Sequence, residues 1–539
     1  MKIVVAEKIA PAALSLLREQ ADWVVATPEK DALAAELADA DALLVRSAVF
    51  VDAAMMDKAP GLRVIGRAGV GVDNIDLDAA TKRGIAVMNT PGGNAVAVAE
   101  HTLALMLALA RHLTRADSTT HAGKWEKKSL QGTELRGKTL GIVGLGRVGI
   151  EVAKRALAFG MKVVAHDPYV AASLAQQLQI TLASLDDVFA QSDYLSLHVG
   201  LTPQTQRMIN EQRLAQMKKG ARLINCARGE LLDDTAVLAA LQSGQLGGVA
   251  LDVFSHEPLK ESPYHSAPNV LLTPHIAGST NEAQDAVGVQ IAQQVREYLL
   301  KGVIQNAVNA PSVTDEEYQQ MLPYIGLAER LGEFLAQSSE GSVEEITVGY
   351  SGEMGDWKTD LIRNAAVAGV LNQMAHEKAN MVNAAAIAEE RGIRLREHKQ
   401  PRGSGRGAEN VVSLTLHTAH GDRRADGMVL HGHLPRLLRV DGIDVEAPLE
   451  GNLIYLRNRD VPGVVGRVGT TLGRHDVNIA RFSLGRGDHP MQPGGAVAVV
   501  QIDGEVNEAV LRELREIEAV EMVKAIHFGE VPVMAPVAV

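Results

Sequence analysis

Three polar residues in the middle of the chain have side chains suited to moving a proton or holding an anion, and each follows a short apolar run. Arg228 lies in NCARGE, Glu257 in LDVFSHEP and His275 in LLTPHIAGST. Histidine titrates near neutral pH, so His275 suits removal of an alcohol proton. The Glu257 carboxylate would orient that imidazole, and the Arg228 guanidinium would hold a substrate carboxylate. The set fits oxidation of a 2-hydroxy acid, although each residue alone is more simply explained as a cap or core residue.

A glycine-rich motif earlier in the chain supplies the other half of that chemistry. Thr139–Asp167 has the pattern of a strand, a turn, a helix and a second strand that ends on an acid. Gly144, Gly146 and Gly149 form G-x-G-x-x-G, which allows a tight turn, a close approach to a pyrophosphate and close packing of helix on strand. The Asp167 carboxylate would accept a hydrogen bond from a ribose 2′-hydroxyl and repel a 2′-phosphate. The segment therefore predicts NAD rather than NADP; the alternative is a glycine turn that only packs a helix on a sheet.

Length and charge exclude several other classes of protein. The 539 residues predict roughly three or four domains, and the formal net charge of −12 argues against a nucleic-acid partner bound through its phosphates. The single cysteine, Cys226, excludes an intramolecular disulfide and a cysteine-cluster metal site, and no metal is predicted. No apolar run reaches the roughly 18 residues that a membrane helix needs. We expect a cytoplasmic protein with no membrane partner.

The elements that must position these residues alternate between strand and helix. Short apolar runs separated by helical patterns predict a parallel, doubly wound sheet in 1–92 and another around the glycine motif, so the fold class is α/β with two Rossmann-like units. Two long helices, Ala95–Arg115 and Asn281–Leu300, would carry the chain out of the outer domain and back, which leaves a cleft between lobes. Ligands bind beyond the carboxyl ends of the strands in such sheets, so Arg228, Glu257 and His275 are expected to converge there.

The second half of the chain predicts two further domains. Residues 313–450 mix helix and strand around a basic loop containing Arg402 and Arg406, which we interpret as solvated. Residues 451–527 follow a βαββαβ order typical of a ferredoxin-like module, and 528–539 form a tail. The expected domains are 1–92 with 284–312 for the substrate, 93–283 for the nucleotide, 313–450, and 451–527.

Several motifs together resemble one enzyme family. GLGRVG, NCARGE, DVFSHEP and TPHIAGST are similar to the D-isomer-specific 2-hydroxyacid dehydrogenases, and RAGVGVDNID resembles their D-3-phosphoglycerate dehydrogenase branch. The resemblance implies NAD-dependent oxidation of 3-phosphoglycerate to 3-phosphohydroxypyruvate, the first step of phosphorylated serine biosynthesis, with Arg228, Glu257 and His275 as catalytic residues. The implied NAD contacts, in addition to the glycines, are Arg147, Val148, Asp167, Cys226, Ala227, Arg228, Asp252, His275 and Gly278. Asp252 would meet the nicotinamide carboxamide, and Cys226 would have no nucleophilic role.

A phosphorylated substrate needs cations in addition to Arg228. Arg46 and Arg67 each follow a predicted strand of the outer domain and can face the cleft. Lys127 and Lys128 lie in KWEKK, a segment that by resemblance reaches the active site of a neighbouring subunit. We predict Arg46, Arg67 and Lys127 as phosphate ligands; the simpler interpretation of each is a solvated surface charge.

The C-terminal half resembles regulatory domains. Residues 451–527 resemble an ACT domain, a small amino-acid-sensing module, and 313–450 resemble the intervening domain of long D-3-phosphoglycerate dehydrogenases. The predicted effector residues are Asn458, Asp460, Asn478 and Ile479. L-serine is the implied effector, bound between two modules; a purely structural dimerisation module is the alternative. By resemblance the protein is a homo-oligomer, a dimer through its nucleotide domains and a tetramer overall.

Two other functions fit parts of the sequence. One is reduction of glyoxylate or hydroxypyruvate by another D-2-hydroxyacid dehydrogenase. The other is an NADH-sensing corepressor, since such proteins can keep the Arg/Glu/His set. The C-terminal amino-acid-sensing module favours biosynthesis over both.

Overall fold

The computed structural model describes residues 1–374, 378–400, 410–487 and 495–529, and these form four β-sheets. Each sheet lies inside one of the four predicted domains, whose bounds stay predictions. The α/β fold class with two parallel Rossmann-like sheets is confirmed. The loop with Arg402 and Arg406, and all but the first two residues of the predicted tail, lie outside the described residues.

The outer lobe, as we name the first sheet with its helices, comes from residues 2–88 and one later helix. Its strands are β1 Lys2–Val5, β2 Val24–Ala26, β3 Ala42–Val45, β4 Val64–Arg67 and β5 Ala86–Met88. Its helices from this part of the chain are α1 Pro11–Arg18, α2 Leu33–Glu36, α3 Ala53–Met56 and α4 Leu77–Lys82. The strands run parallel in the order β2-β1-β3-β4-β5. The central strands are buried apolar runs, as a parallel sheet covered on both faces requires.

The nucleotide lobe is built on a second sheet, whose strands run parallel in the order β12-β11-β10-β9-β6-β7-β8. The strands are β6 Thr139–Val143, β7 Lys162–His166, β8 Thr181–Leu182, β9 Tyr194–Leu197, β10 Ala221–Asn225, β11 Leu246–Leu251 and β12 Val270–Leu272. The helices are α5 Ala95–Arg111, α6 Leu113–His121, α7 Arg147–Ala158, α8 Ala172–Gln177, α9 Leu185–Gln191, α10 Glu211–Gln216 and α11 Asp234–Gln242. The strand order reverses between β6 and β9. The turn after β6 therefore opens at the topological switch point, where such folds bind ligands.

The single helix predicted over Ala95–Arg115 is wrong, because the segment forms two helices, α5 and α6, bent by 63°. His112 lies between them in the left-handed conformation, with φ 52°, and ends α5. The residues of α5 pack into the core of the nucleotide lobe, whereas α6 is polar and has no buried residue. Among the described residues no single helix is long and apolar enough to cross a membrane; α5 and α6 pass that test only as a bent pair.

The second long helix, α12, spans Asn281–Lys301 and returns the chain to the outer lobe, as predicted. It packs against α1 and β4. Gly66 of β4 makes this close packing possible, since a side chain there would lie 2.8 Å from Val295. Gly302, in the left-handed conformation, ends the helix.

Two further units complete the chain. The third unit has helices α13 Asp315–Ser338, α14 Asp360–Met374 and α15 Ala384–Glu390, and strands β13 Val343–Ser351, β14 Arg394–Lys399, β15 Val411–Thr418, β16 Gly421–Leu430, β17 Leu434–Val440 and β18 Ile443–Pro448. The C-terminal module has β19 Asn452–Arg459, α16 Val464–Arg474, β20 Ile479–Arg486, β21 Gly495–Ile502, α17 Glu508–Arg515 and β22 Val520–His527. Its antiparallel order β20-β21-β19-β22 confirms the ferredoxin-like prediction.

The buried apolar side chains divide the molecule into two bodies. One continuous cluster, which we call the long core, runs from the outer lobe through α12 and α13 into the third unit and the C-terminal module. The outer lobe and the C-terminal module each have one more cluster, on the other face of their sheet. The nucleotide lobe has two clusters of its own, one on each face of its sheet. No apolar cluster of the described residues joins that lobe to the long core. Two chain crossings, at Asn89–Asn94 and Gly278–Thr280, connect the lobes.

Candidate active site

The glycine turn after β6 has the geometry that a dinucleotide pyrophosphate needs. Gly144 adopts φ +93°, and a side chain there would meet the carbonyl oxygen of His198 at 2.5 Å. A side chain at Gly149 would clash with the carbonyl of Gly144, so α7 packs on the turn too closely for another residue. Gly146 lies in open space at the start of α7, and no side chain caps that helix. The first N–H groups of α7 are therefore available to an anion, and the turn fits NAD.

Asp167, the acid that ends the motif, lies beside the same turn. Its carboxylate accepts hydrogen bonds from the N–H groups of Leu145 and Tyr169, at 2.8 and 2.9 Å. A carboxylate offers about four acceptor positions, so a ribose hydroxyl can bind it as well. The predicted ribose contact is therefore compatible with the position of Asp167.

His198, the first residue after β9, also lies against the glycine turn and was not among the predicted site residues. Burial lowers the pKa of His198 to about 4, and its Nε2 lies 2.9 Å from the hydroxyl of Ser196. The imidazole is therefore neutral at physiological pH and adds no charge next to the turn. Its position directly after the strand at the switch point is the signal that could have found it.

Glu257 and His275 form a hydrogen-bonded pair. Nδ1 of His275 lies 2.7 Å from Oε2 of Glu257, and the other carboxylate oxygen accepts the N–H of Phe254. An ionised carboxylate only accepts, so the proton between the two residues sits on Nδ1, and the lone pair of Nε2 is left to take a proton. The His275 side chain is 53% exposed, so a substrate can reach it.

Arg228 follows β10, the neighbour of β11, and its loop packs against the loop that carries Glu257. Gly229 lies so close to the backbone of Phe254 that any side chain there would clash. Nη2 of Arg228 pairs with Asp73 at 3.0 Å. Asp73 belongs to the outer lobe, so this guanidinium bridges the cleft. Strands β10, β11 and β12 are adjacent, as the predicted convergence of Arg228, Glu257 and His275 requires.

The backbone at His275 is held in an unusual conformation. His275 has φ +54°, a left-handed geometry that costs a residue with a side chain about 1 kcal/mol or more. The carbonyl of Asp252 accepts the N–H of His275, and its carboxylate accepts those of Ile276 and Ala277, at 2.9 and 2.8 Å. Burial alone would raise the pKa of Asp252, but two side-chain hydrogen bonds and these backbone bonds lower it. The carboxylate is fully buried. The predicted contact with the nicotinamide would require its neighbours to move, and in this structure Asp252 holds the His275 loop.

The remaining predicted NAD contacts lie around the same edge of the sheet. Burial raises the pKa of the Cys226 thiol to about 12, so the unreactive thiol form persists, in agreement with the prediction of no nucleophilic role. Arg147 lies against Gly92, and Gly278 against Asn94, at the crossing between the lobes. Val148 and Ala227 are partly buried in the two cores of the nucleotide lobe.

Arg67, one of the predicted phosphate ligands, lies close to Arg228 and to Arg46, another predicted ligand. The Arg46 guanidinium donates to the carbonyl of Lys8 at 3.2 Å, and the buried Nε of Arg67 has no hydrogen-bond partner among the described residues. Burial, followed by the charge of Arg228, lowers the pKa of Arg67; the carboxylates of Asp73 and Glu7 oppose this shift, and Arg46 adds to it. The Arg67 guanidinium is therefore repelled by guanidinium groups from both lobes, and a bound anion would relieve that repulsion.

Two polar residues that were not predicted from the sequence hold the loop that carries Arg46. The Glu7 carboxylate accepts the N–H groups of Arg46, Ala48 and Val49, at 2.7 to 3.2 Å. The side-chain amide of Asn74 donates to the carbonyls of Arg46 and Val49. Together they fix the loop after β3 that carries Arg46. Asn74 lies in the quoted RAGVGVDNID motif, which could have indicated it, whereas Glu7 has no local signal.

Lys127, the third predicted phosphate ligand, is not brought to the cluster of Arg46, Arg67 and Arg228 within one chain. It lies with Lys128 in a short 3-10 helix, Lys127–Leu130, and both side chains are exposed. The neighbouring Trp125 is 86% exposed. The contact of Lys127 with another subunit stays a prediction.

The predicted effector residues form two pairs at opposite ends of the C-terminal sheet. Asn458 and Asp460 lie at the end of β19, level with Arg486, and Asp460 pairs with that arginine at 3.5 Å. Asn478 and Ile479 lie where β20 begins, about 20 Å away along the strands. One chain therefore does not bring all four residues into a single site.

Comparison with known families confirms the resemblance indicated by the motifs. Residues 103–277 match the NAD-binding domain of D-isomer-specific 2-hydroxyacid dehydrogenases, 320–441 match the D-3-phosphoglycerate dehydrogenase intervening domain, and 453–519 match the ACT domain. The D-3-phosphoglycerate dehydrogenase of Synechocystis sp. is 39% identical over 521 residues, covering 96% of this chain and 93% of that protein. That of Methanocaldococcus jannaschii is 40% identical over 532 residues, covering 98% and 100%.

Solved structures resemble the chain over a little more than half of its length. A Thermus thermophilus protein aligns with a TM-score of 0.52 and 38% identity, covering 57% of this chain and all of that one (100%). The D-lactate dehydrogenase of Aquifex aeolicus, complexed with NAD and lactic acid, aligns with a TM-score of 0.51 and 31% identity, covering 58% and 100%. The NAD bound in the second structure agrees with NAD as the cofactor of this fold.

Proposed function

The chain belongs to the D-3-phosphoglycerate dehydrogenases within the D-isomer-specific 2-hydroxyacid dehydrogenase family, and from that membership we propose that it oxidises 3-phospho-D-glycerate with NAD. The product is 3-phosphohydroxypyruvate, and the step begins the phosphorylated route to serine. The observation that carries the proposal is the hydrogen-bonded pair Glu257 and His275 next to a cluster of three arginines. His275, joined to Glu257, suits proton transfer, and the arginine cluster suits a substrate with two anionic groups.

The chemistry divides between the two lobes. NAD, held at the glycine turn after β6, would supply the hydride acceptor for C2 of the substrate, and the products would be 3-phosphohydroxypyruvate, NADH and one proton. Nε2 of His275 takes the proton of the C2 hydroxyl as the C2–O bond becomes a carbonyl. Glu257 holds Nδ1–H and stabilises the imidazolium that forms. Arg228 binds the substrate carboxylate.

The phosphate is proposed to bind to the outer lobe through Arg46 and Arg67. Arg67 has a buried Nε without a partner, and a phosphate oxygen would satisfy it. The ion pair between Arg228 and Asp73 is surface-exposed at one partner, so a substrate carboxylate can replace that contact at small cost. Lys127 of a neighbouring subunit would add a further charge to the same cleft.

A substrate panel tests this function. NADH formation is measured with 3-phospho-D-glycerate, D-glycerate and D-lactate, and NADH oxidation with glyoxylate and hydroxypyruvate. We expect the highest kcat/KM for the phosphorylated acid and NAD rather than NADP. A preference for glyoxylate or hydroxypyruvate would indicate a reductase. Tight NADH binding without turnover of any of these acids would indicate a sensor protein.

We further infer that L-serine binds between two C-terminal modules and lowers activity. The separation of Asn458 and Asp460 from Asn478 and Ile479 within one sheet supports a shared site, because a twofold-related copy can bring opposite ends together. An effector there acts by favouring one arrangement of the lobes. A serine site shared between two C-terminal modules also requires a homo-oligomer. We propose a dimer through the nucleotide lobes and a tetramer overall. A cytoplasmic location stays a prediction.

Titration calorimetry with serine, alongside the NADH assay, tests the effector proposal. Asp460→Ala should weaken serine binding at least about tenfold while leaving the uninhibited kcat unchanged, since Asp460 is remote from His275. Glu508→Ala, an exposed acid on α17 of the same module, is the matched control and should bind serine normally. If the wild type shows neither heat nor inhibition at millimolar serine, the module is structural.

A further inference from the structure

A chain of side chains lies behind the His275 loop and reaches back to α5. Nε2 of His101, on α5, lies 3.1 Å from the hydroxyl of Thr273. That hydroxyl donates to Oδ1 of Asp252 at 2.6 Å, and His101 itself lies 3.4 Å from the same oxygen. Thr273 directly follows β12 and is two residues before His275. The chain therefore joins the helix that enters the nucleotide lobe to the loop that carries the proposed base.

The direction of these hydrogen bonds can be worked out. The Thr273 hydroxyl has one proton, which it gives to the ionised Asp252, so its oxygen must accept from His101. Nε2 of His101 therefore carries a proton. Both the Nε2–H tautomer and the imidazolium satisfy this requirement, so the contact does not depend on the charge of His101.

The loop needs this support because its backbone is strained. His275 adopts φ +54°, and such conformations persist only where surrounding contacts over-determine them. Asp252 makes those contacts with the N–H groups of residues 275 to 277. Its carboxylate is fully buried, so its orientation is set by its donors alone. Thr273 and His101 supply the side-chain donors on the Oδ1 side.

We propose that His101 is a positioning residue for His275, acting through Thr273 and Asp252. It keeps the Asp252 carboxylate in the orientation that holds the left-handed turn, and the turn aims Nε2 of His275 at the substrate. The inference rests on the proposed function only in taking His275 as the base. It does not depend on which D-2-hydroxy acid is oxidised.

Paired variants test the proposal in the full-length protein. His101→Leu and Thr273→Val remove the hydrogen bonds, whereas His101→Gln and Thr273→Ser keep a donor or a hydroxyl. We expect the first two to lower kcat about tenfold, the effect of one lost hydrogen bond to a charged group, with the Kd of NAD changed less than about twofold. The conservative variants should recover kcat to within about threefold of wild type. A general loss of structure would not separate kcat from NAD binding or be rescued in this way.

Hydrogen exchange measured by mass spectrometry supplies a readout that does not require turnover. Backbone exchange in residues 275–278 should rise about tenfold in His101→Leu and Thr273→Val and stay near wild type in the conservative pair. Unchanged exchange in all four variants overturns the proposal, as does a kcat within twofold of wild type in His101→Leu. A wild type that oxidises no 3-phosphoglycerate overturns the proposed function instead, and the exchange experiment still decides the role of His101.

Discussion

The nucleotide lobe buries its apolar side chains in two clusters of its own, whereas the long core is continuous through the outer lobe, the third unit and the C-terminal module. The outer lobe and the C-terminal module each have one more cluster, on the other face of their sheet. The nucleotide lobe and the outer lobe also carry different functional side chains. The nucleotide lobe carries the acid–base pair and the glycine turn, and the outer lobe carries Arg46 and Arg67. On the proposed function, proton transfer and phosphate binding therefore belong to different lobes, whose apolar clusters do not join. Closing the cleft would bring the two sets together.

Specific contacts tie the long core together from end to end. Phe334 of α13 packs edge to face against Tyr455 of the C-terminal module, with ring centroids 5.6 Å apart. The side-chain amide of Asn380, in the third unit, donates to the carbonyl of Gly84 in the outer lobe at 2.9 Å. A change at the C-terminal module is therefore expected to reach Arg46 and Arg67, the proposed phosphate ligands, through packed structure before it reaches His275.

The largest expected effect separates chemistry from binding. His275→Ala should lower kcat by roughly 10²–10⁴-fold, the usual contribution of a positioned acid–base group. NAD binding should change little, because the glycine turn is untouched. Steady-state kinetics and NADH fluorescence titration measure the two quantities. Near-normal turnover would remove His275 from the role of base.

Two core variants test whether the bodies are independent. Phe334→Ala in the long core and Phe189→Ala in the nucleotide lobe each remove a fully buried ring, at a cost of about 3–5 kcal/mol in unfolding free energy. We expect Phe334→Ala to keep NADH binding and Phe189→Ala to lose it. Calorimetric scans should show a different transition lowered in each variant. A single transition lowered equally by both would contradict the division into two bodies.

Arg67→Ala should act on the phosphate alone. We expect the KM for 3-phospho-D-glycerate to rise about 10–100-fold, the effect of one or two charge-assisted hydrogen bonds, with a much smaller change for D-glycerate. Arg63→Ala is the matched control, since Arg63 precedes the opposite end of β4 and stacks on Tyr298. Equal losses with both substrates would make Arg67 a structural residue.

The smallest effect concerns acid stability of the nucleotide lobe. Burial lowers the folded pKa of His198 to about 4, below its ordinary value of 6.5, so the unfolded chain binds the proton first as the pH falls. The contribution of the neutral His198 to the free energy of unfolding is complete above about pH 6.5 and is lost between that pH and about pH 4. The loss reaches about 2 kcal/mol at pH ~4.5. Urea unfolding of wild type and His198→Asn at neutral and acidic pH measures this difference. The variant should lose less stability on acidification, and an identical loss would show that His198 does not titrate as described.

Local patterns explain which parts of the site could be predicted from the sequence. Thr139–Asp167 encodes strand, turn, helix and acid within one supersecondary unit, so its geometry follows from neighbours in sequence. Glu257 and His275 follow adjacent parallel strands, whose carboxyl ends meet at one edge by topology. Lys127 could not be assigned in the same way, because its proposed partner lies in another subunit.

The amino-acid sequence by itself determined the fold class, the NAD motif and the family and predicted the catalytic set, because each depends on residue types at short spacing or on the order of elements. Only the tertiary structure decided that Asp252 is buried beneath the His275 loop, that Arg228 pairs with Asp73, and that the predicted effector residues occupy opposite ends of a sheet. Each of these depends on strand register and side-chain packing between segments distant in sequence. Burial and hydrogen-bond geometry there are set by the whole fold, and no local pattern carries them.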